Sequence, residues 1–264
     1  MAESRHAETI DWYAPERRGI FPLAAFHVPK RLVRTIKKHP FRITFNRDFR
    51  GVIRHCADSR AQTWINDEII ELYSELHDQG TAHSVEVWDD VGLLVGGVYG
   101  LSIGGAFFGE SMFSRKTNAS KIALVYLAAR LWRQGYCLFD AQFFNPHLAQ
   151  FGLVEISRLE YMQQLEKALA KNCCFLYSES SKDPGISCNA GALSGVVSAS
   201  GASAGVSGAG SGSKVMLSGL GASTFSGLSA VELVTGASAG ASSVVNSSDF
   251  DAVVAFLQSI TQTP

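Results

Sequence analysis

AHSVEVWDDVGLLVGGVYGLSIGGAFFGESMFSRKTNASKIALVYLAARLWRQGYCLFDAQ, residues 82–142, decides the fold. Residues 82–88 and 93–102 read as two strands joined near Asp90, and Gly105–Gly109 extends the sheet. Ala119–Gln134 is a helix, opened by Asn118 or Ser120 and stopped at Gly135. Tyr136–Gln142 returns as a strand. The order β-β-β-α-β predicts a mixed α/β (α+β) fold. Glycines 96, 97, 100, 104 and 105 crowd this stretch. No Gly-Lys-Ser/Thr follows them, and they do not spell a dinucleotide fingerprint. Glycines inside strands mark close backbone approach or bulges instead.

Working outward, Asn66 or Asp67 opens a helix that runs to His77, with Gly80 as its stop. Ile69, Ile70, Leu72, Tyr73 and Leu76 form its apolar stripe. Further upstream, Leu32–Lys38 and Phe49–Cys56 read as helices and Phe41–Asn46 as a strand. Downstream, Ser157 caps a helix to about Ala170, with Glu160 at the capping-box position. Beyond that the character changes. From Gly185 to Ser247 about two-thirds of residues are Gly, Ser or Ala, a low-complexity segment. Phe250–Ile260 closes the chain as a short apolar run.

The net charge is −1, which says nothing of a nucleic-acid partner. The distribution says more. Lys30, Arg31, Arg34, Lys37, Lys38, Arg42, Arg47, Arg50, Arg54 and Arg60 face only two acidic residues between positions 30 and 60. Such a run is either a solvated face or a phosphate-binding surface. The 5 cysteines contain no C-x-x-C pair, so neither a zinc nor a dithiol motif is signalled. The histidines are scattered and predict no metal site. The longest apolar helical run, Ile122–Trp132, is far short of the ~20 residues a bilayer span needs. The N-terminus lacks an apolar signal region. A cytoplasmic protein with no membrane association is expected.

Two places could carry chemistry. Glu110 ends the apolar run Gly105–Gly109, where burial would raise its pKa or demand a partner. Asp140 and Gln142 lie two apart on a strand, so both side chains are expected on one face. A carboxylate beside a carboxamide suits orienting an amine as it attacks a carbonyl. Ser111 lacks the second Gly of a nucleophile elbow, so no hydrolase triad is indicated.

Several blocks then matter together. They are Thr63-Trp64-Ile65, His83-Ser84-Val85-Glu86-Val87-Trp88, Val95-Gly96-Gly97-Val98-Tyr99-Gly100, and Phe108-Gly109-Glu110-Ser111-Met112-Phe113-Ser114-Arg115. Asn118-Ala119-Ser120-Lys121, Asp140-Ala141-Gln142 and Phe151-Gly152-Leu153-Val154-Glu155-Ile156 complete them. In this order and spacing they resemble the leucyl/phenylalanyl-tRNA protein transferase family, over roughly Trp12–Leu169.

The resemblance implies a small N-terminal domain (1–62) and a GNAT-like acyltransferase domain (63–171). A Gly/Ser/Ala linker (172–249) and an apolar C-terminal segment (250–264) would follow. It implies transfer of Leu or Phe, less readily Met, from aminoacyl-tRNA to proteins with N-terminal Arg or Lys, which feeds bacterial N-degron degradation. No cofactor or metal is needed, because the tRNA ester is already activated; a monomer is expected. By the same resemblance Asp140 polarises Gln142, which handles the amine, and Glu110 positions the aminoacyl end or the cationic acceptor. Val98, Phe108, Met112, Leu124 and Phe139 form the aminoacyl pocket. Lys30, Arg31, Arg34, Lys37, Lys38, Arg42 and Trp64 bind the tRNA.

Two departures stand against the family pattern: an N-terminal domain expected to be short at its start, and the long Gly/Ser/Ala stretch. The alternatives are a GNAT-type enzyme using acyl-CoA, for which residues 113–118 supply no pyrophosphate loop, and a non-catalytic tRNA-binding module.

Overall fold

The computed structural model describes residues 13–60, 62–176, 243–244 and 247–261. Its centre is an eight-stranded sheet. The strands are β1 (Arg17–Phe21), β2 (Arg42–Phe45), β3 (Ala82–Trp88), β4 (Leu94–Ile103), β5 (Ala106–Ser114), β6 (Leu138–Gln142), β7 (Val154–Ser157) and β8 (Ser243–Val244). Their spatial order is β7-β1-β6-β5-β4-β3-β2-β8. Every pairing is antiparallel except that of β5 with β6.

Helices cover both faces. On one face lie α1 (Lys30–Ile36), α4 (Ala119–Arg133) and α7 (Ser247–Thr261). Leu32, Ile36, Leu124, Leu127, Val253 and Phe256 pack there against Val85, Val98, Phe107 and Phe139. On the other face α2 (Phe49–Asp58) and α3 (Asp67–Asp78) cover β3 to β5 through Val52, Ile53, Ile69, Tyr99 and Phe113. Beside them α6 (Arg158–Leu169) covers β1, β5 and β6 through Tyr161 and Ala168. A short helix, α5 (Pro146–Ala149), follows β6.

Local sequence explains these elements. Asn66 accepts a hydrogen bond from the Ile69 N–H and starts α3, and Ser157 and Glu160 make the full capping box of α6. Neither Asn118 nor Ser120 caps α4 with its side chain; Asn118 takes a left-handed φ of 68°. Leu72, expected in the apolar stripe of α3, is exposed, while Ile69 and Ile70 carry the contact. Two glycines are required by close approach. A Cβ on Gly96 would lie 2.6 Å from the Cβ of Ala119, and one on Gly100 would lie 2.1 Å from the Phe108 carbonyl oxygen. They seat α4 on β4 and β4 against β5, which is the structural role the glycine pattern suggested.

The mixed α/β expectation holds. The boundary drawn at 62/63 does not separate two sheets: β1 and β2 precede it, yet they pair with strands that follow it. Nor is the expected linker 172–249 loose at its ends. Phe175 is buried, β8 pairs with β2, and Asp249 of α7 binds the buried Arg130 at 2.9 Å. The rest of that stretch, 177–242 and 245–246, lies outside the described residues, as does 262–264 of the C-terminal segment.

Candidate functional site

β5 and β6 run side by side for only three residue pairs, Ala106–Leu138, Phe107–Phe139 and Phe108–Asp140. Then they part. Along Gly109–Ser114 no strand pairs with β5 on that side, among the described residues. A cavity of about 560 Å³ opens in the gap. Val98, Met112, Leu124 and Phe139 line it from the α4 side, and Phe21 of β1 joins them. Glu110, Gln142, Arg60 and Trp64 line it as well.

Two β-bulges aim the polar groups. In β5, Gly109 pairs with Gly100 and Ser111 with Tyr99, so Glu110 is the extra residue. In β6, Asp140 pairs with Ile20 and Gln142 with Gly19, so Ala141 is the extra residue. Bulges break the two-residue alternation and turn side chains out of line. Gln142 also has a φ of 66°, left-handed for a residue that is not glycine. That conformation costs about 1–3 kcal/mol and persists only where surroundings hold it. Here the Gln142 N–H donates to Asp140 Oδ1 at 2.7 Å.

The outcome separates Asp140 from the cavity. Its carboxylate is completely buried and accepts from Arg18 Nη2 at 2.7 Å and Tyr161 Oη at 2.8 Å. The Asp140 carboxylate thus meets the backbone N–H of Gln142, and the carboxamide points elsewhere. The carboxamide instead donates from Nε2 to Glu110 Oε2 at 3.0 Å. Glu110 is partly buried, and burial raises its pKa, which the hydrogen bonds from Gln142 and Tyr73 oppose. It is the one carboxylate lining the cavity among the described residues.

Phe108 is also displaced from its expected role. It packs beside Ile20, Leu138 and Tyr161 under α6, on the opposite face from Phe107 and Phe139. Lining residues not anticipated are Phe143, Phe144, Asn145, His147 and Leu148, which follow β6 and begin α5. Asn145-Pro146 was a readable signal there: Asn145 caps α5, and Pro146 takes its first position. No group of three or more His, Cys, Asp or Glu is placed to hold a metal ion among the described residues.

Residues 20–166 match the model of the family described as leucyl/phenylalanyl-tRNA protein transferase. The chain belongs to that family. Proteins named leucyl/phenylalanyl-tRNA protein transferase are similar to it from Hyphomonas neptunium (58% identity over 172 residues), Paramagnetospirillum magneticum (53% over 178) and Ruegeria sp. (55% over 169). The matches span 64%, 66% and 64% of this chain, and 66%, 85% and 80% of those proteins.

For a member of a transferase family named for tRNA, the placement of cations matters. Lys30, Arg31, Arg34 and Lys37 are exposed on or next to α1, as is Lys38 beyond it, on the α4 side of the sheet. Arg42 begins β2 and lies 5.7 Å over the ring of Trp88. None of these six lines the cavity. Arg50 and Arg54 sit on α2, which packs on the other face, and Arg50 is paired with Glu71 at 2.6 Å. The cationic run in sequence is thus divided between two layers. Arg60, the last cation of the run, stands at the cavity wall beside Trp64.

Proposed function

We propose that the cavity between β5 and β6 is where an aminoacyl group leaves tRNA and joins the N-terminus of an acceptor protein. The observation that carries this reading is the meeting of an apolar pocket with a single carboxylate–carboxamide pair. Val98, Met112, Leu124 and Phe139 receive the Leu or Phe side chain, with Met fitting less well. Trp64 offers a ring on which the terminal base of the tRNA stacks, and Arg60 a charge for its phosphates. The exposed cations of α1 and Arg42 hold tRNA further from the reaction.

Glu110 faces the acceptor. Its charge suits an N-terminal Arg or Lys, and its raised pKa suits it to accept a proton from the α-amine. Gln142 orients that amine. The amine nitrogen then bonds to the ester carbonyl carbon, and the bond from that carbon to the tRNA ribose oxygen breaks. The proton held by Glu110 passes to the departing ribose oxygen. The activated ester supplies the driving force, so no cofactor enters this scheme, and holding the reactants in line contributes much of the rate. No described helix is long and apolar enough to cross a membrane. The reading fits a cytoplasmic monomer feeding an N-degron pathway.

The test is transfer of labelled Leu from Leu-tRNA to a protein that begins with Arg. The intact chain should label that acceptor and leave an Ala-starting control unlabelled. Glu110→Gln should lower kcat about 10²-fold. Binding of tRNA without any transfer by the intact chain would sink the reading.

A further inference from the structure

Asp140 is buried yet absent from the cavity wall, so something other than contact with substrate accounts for its place. Its oxygens are fully engaged. Arg18 Nε lies 3.1 Å from Oδ1 and 3.0 Å from Oδ2, and Arg18 Nη2 lies 2.7 Å from Oδ2. Tyr161 Oη donates to Oδ2 at 2.8 Å, and the Gln142 N–H donates to Oδ1 at 2.7 Å. Arg18 is itself held, 4.8 Å over the Tyr161 ring. Three separated segments, β1, β6 and α6, thus converge on one carboxylate. That carboxylate secures the left-handed backbone of Gln142, and the Gln142 carboxamide meets Glu110.

We propose that Arg18 and Tyr161 are positioning residues for the transfer: they anchor Asp140, and through its bond to the Gln142 backbone they hold the carboxamide against Glu110. This rests on Gln142 and Glu110 facing the acceptor amine. A fork of guanidinium donors fixes the carboxylate plane, which a lysine ammonium would not do. The phenol supplies a further donor at a set angle. Slackening either lets the strained residue relax toward ordinary strand geometry, which withdraws the amide from the site while leaving the apolar pocket and Trp64 in place.

The experiment measures kcat and KM for Leu-tRNA, with thermal melting, in Tyr161→Phe, Arg18→Lys, Arg18→Met, Asp140→Asn, Gln142→Ala and the double variant Arg18→Met/Asp140→Asn. Tyr161→Phe removes a single oxygen. It should lower kcat about tenfold, as expected for losing one hydrogen bond to a charged group, with KM unchanged. Arg18→Lys should recover only part of what Arg18→Met loses. Because Arg18 acts through Asp140, the double variant should be no slower than Asp140→Asn alone.

A Tyr161→Phe protein that melts earlier yet keeps its kcat overturns the proposal, as does a double variant whose losses simply multiply. If Arg18→Met does not fold, Tyr161→Phe and Arg18→Lys decide. Gln142→Ala separates the two levels. If it loses kcat while Tyr161→Phe does not, only the positioning role falls. If it keeps its kcat, the underlying reading of the site falls, and the positioning role with it.

Discussion

Two carboxylates stand at the ends of one short hydrogen-bond chain and live in opposite surroundings. Asp140 is fully buried under α6, bound by Arg18, Tyr161 and a backbone N–H. Glu110 lies at the cavity wall, where, among the described residues, the neutral groups of Gln142 and Tyr73 bond to it. The first has its charge compensated and nothing left to offer a substrate. The second is short of compensation and open to a cation or a proton. On the proposed reading the same functional group is an anchor in one place and a proton acceptor in the other, because the donors differ.

That contrast can be broken most forcefully at Asp140. Asp140→Ala leaves the Arg18 guanidinium, 18% exposed, without its partner. Removing one member of such a pair costs roughly 3–5 kcal/mol, so urea or thermal unfolding should show a large loss of stability together with loss of transfer. Gln142→Ala should separate the two: transfer falls by about 10²-fold and the melting temperature hardly moves. Equal melting losses in both variants would erase the distinction.

Acidity sharpens it further. Burial raises the Glu110 pKa. A carboxyl whose folded pKa lies above its unfolded value binds its proton more tightly when folded. Its stabilising contribution is complete below the unfolded pKa and disappears as pH rises through the folded one. Transfer should rise over that same interval, as Glu110 becomes able to accept a proton. Glu110→Gln should flatten both profiles. Glu86 is also raised by burial, with Ser84 and Thr44 donating to it. Glu86→Gln should therefore remove part of the pH dependence of stability and leave that of transfer intact, read by denaturation and by initial rates across pH.

The smallest effect concerns two apolar residues on opposite faces of the sheet, Leu124 and Phe108. Leu124→Ala enlarges the pocket and should change the preference among Leu, Phe and Met by ~1–3 kcal/mol, seen in competition between charged tRNAs. Phe108→Ala should lower stability and leave that preference alone, because Phe108 packs under α6.

The central strands and the long helix were legible because their periodicity and their stops are local. The wedge was not. Glu110 and Ala141 are single-residue bulges, and a bulge depends on the partner strand, which no short window contains. Asp-x-Gln on an ideal strand puts both side chains on one face; one extra residue and a left-handed φ undid that inference. Phe107 and Phe108 are adjacent and both apolar, so alternation could not say which of them faces α4. Arg18 was hidden for another reason. Its partner Asp140 lies 122 positions away, so no local window contains the pair. Val98, Glu110, Met112, Leu124, Phe139, Gln142 and Trp64, far apart in sequence, all line one cavity.

Arg130 belongs to a different timescale. Its guanidinium lies 3.8 Å over the Phe45 ring, in the layer where α4 supports the sheet, and it binds Asp249. Asp249 is encoded more than a hundred codons later. During synthesis at about 5–20 residues per second, the chain spends several seconds with that cation in place and its partner not yet made. This layer of the core has to wait for α7, and a protein ending before α7 would carry an uncompensated charge in the middle of its packing.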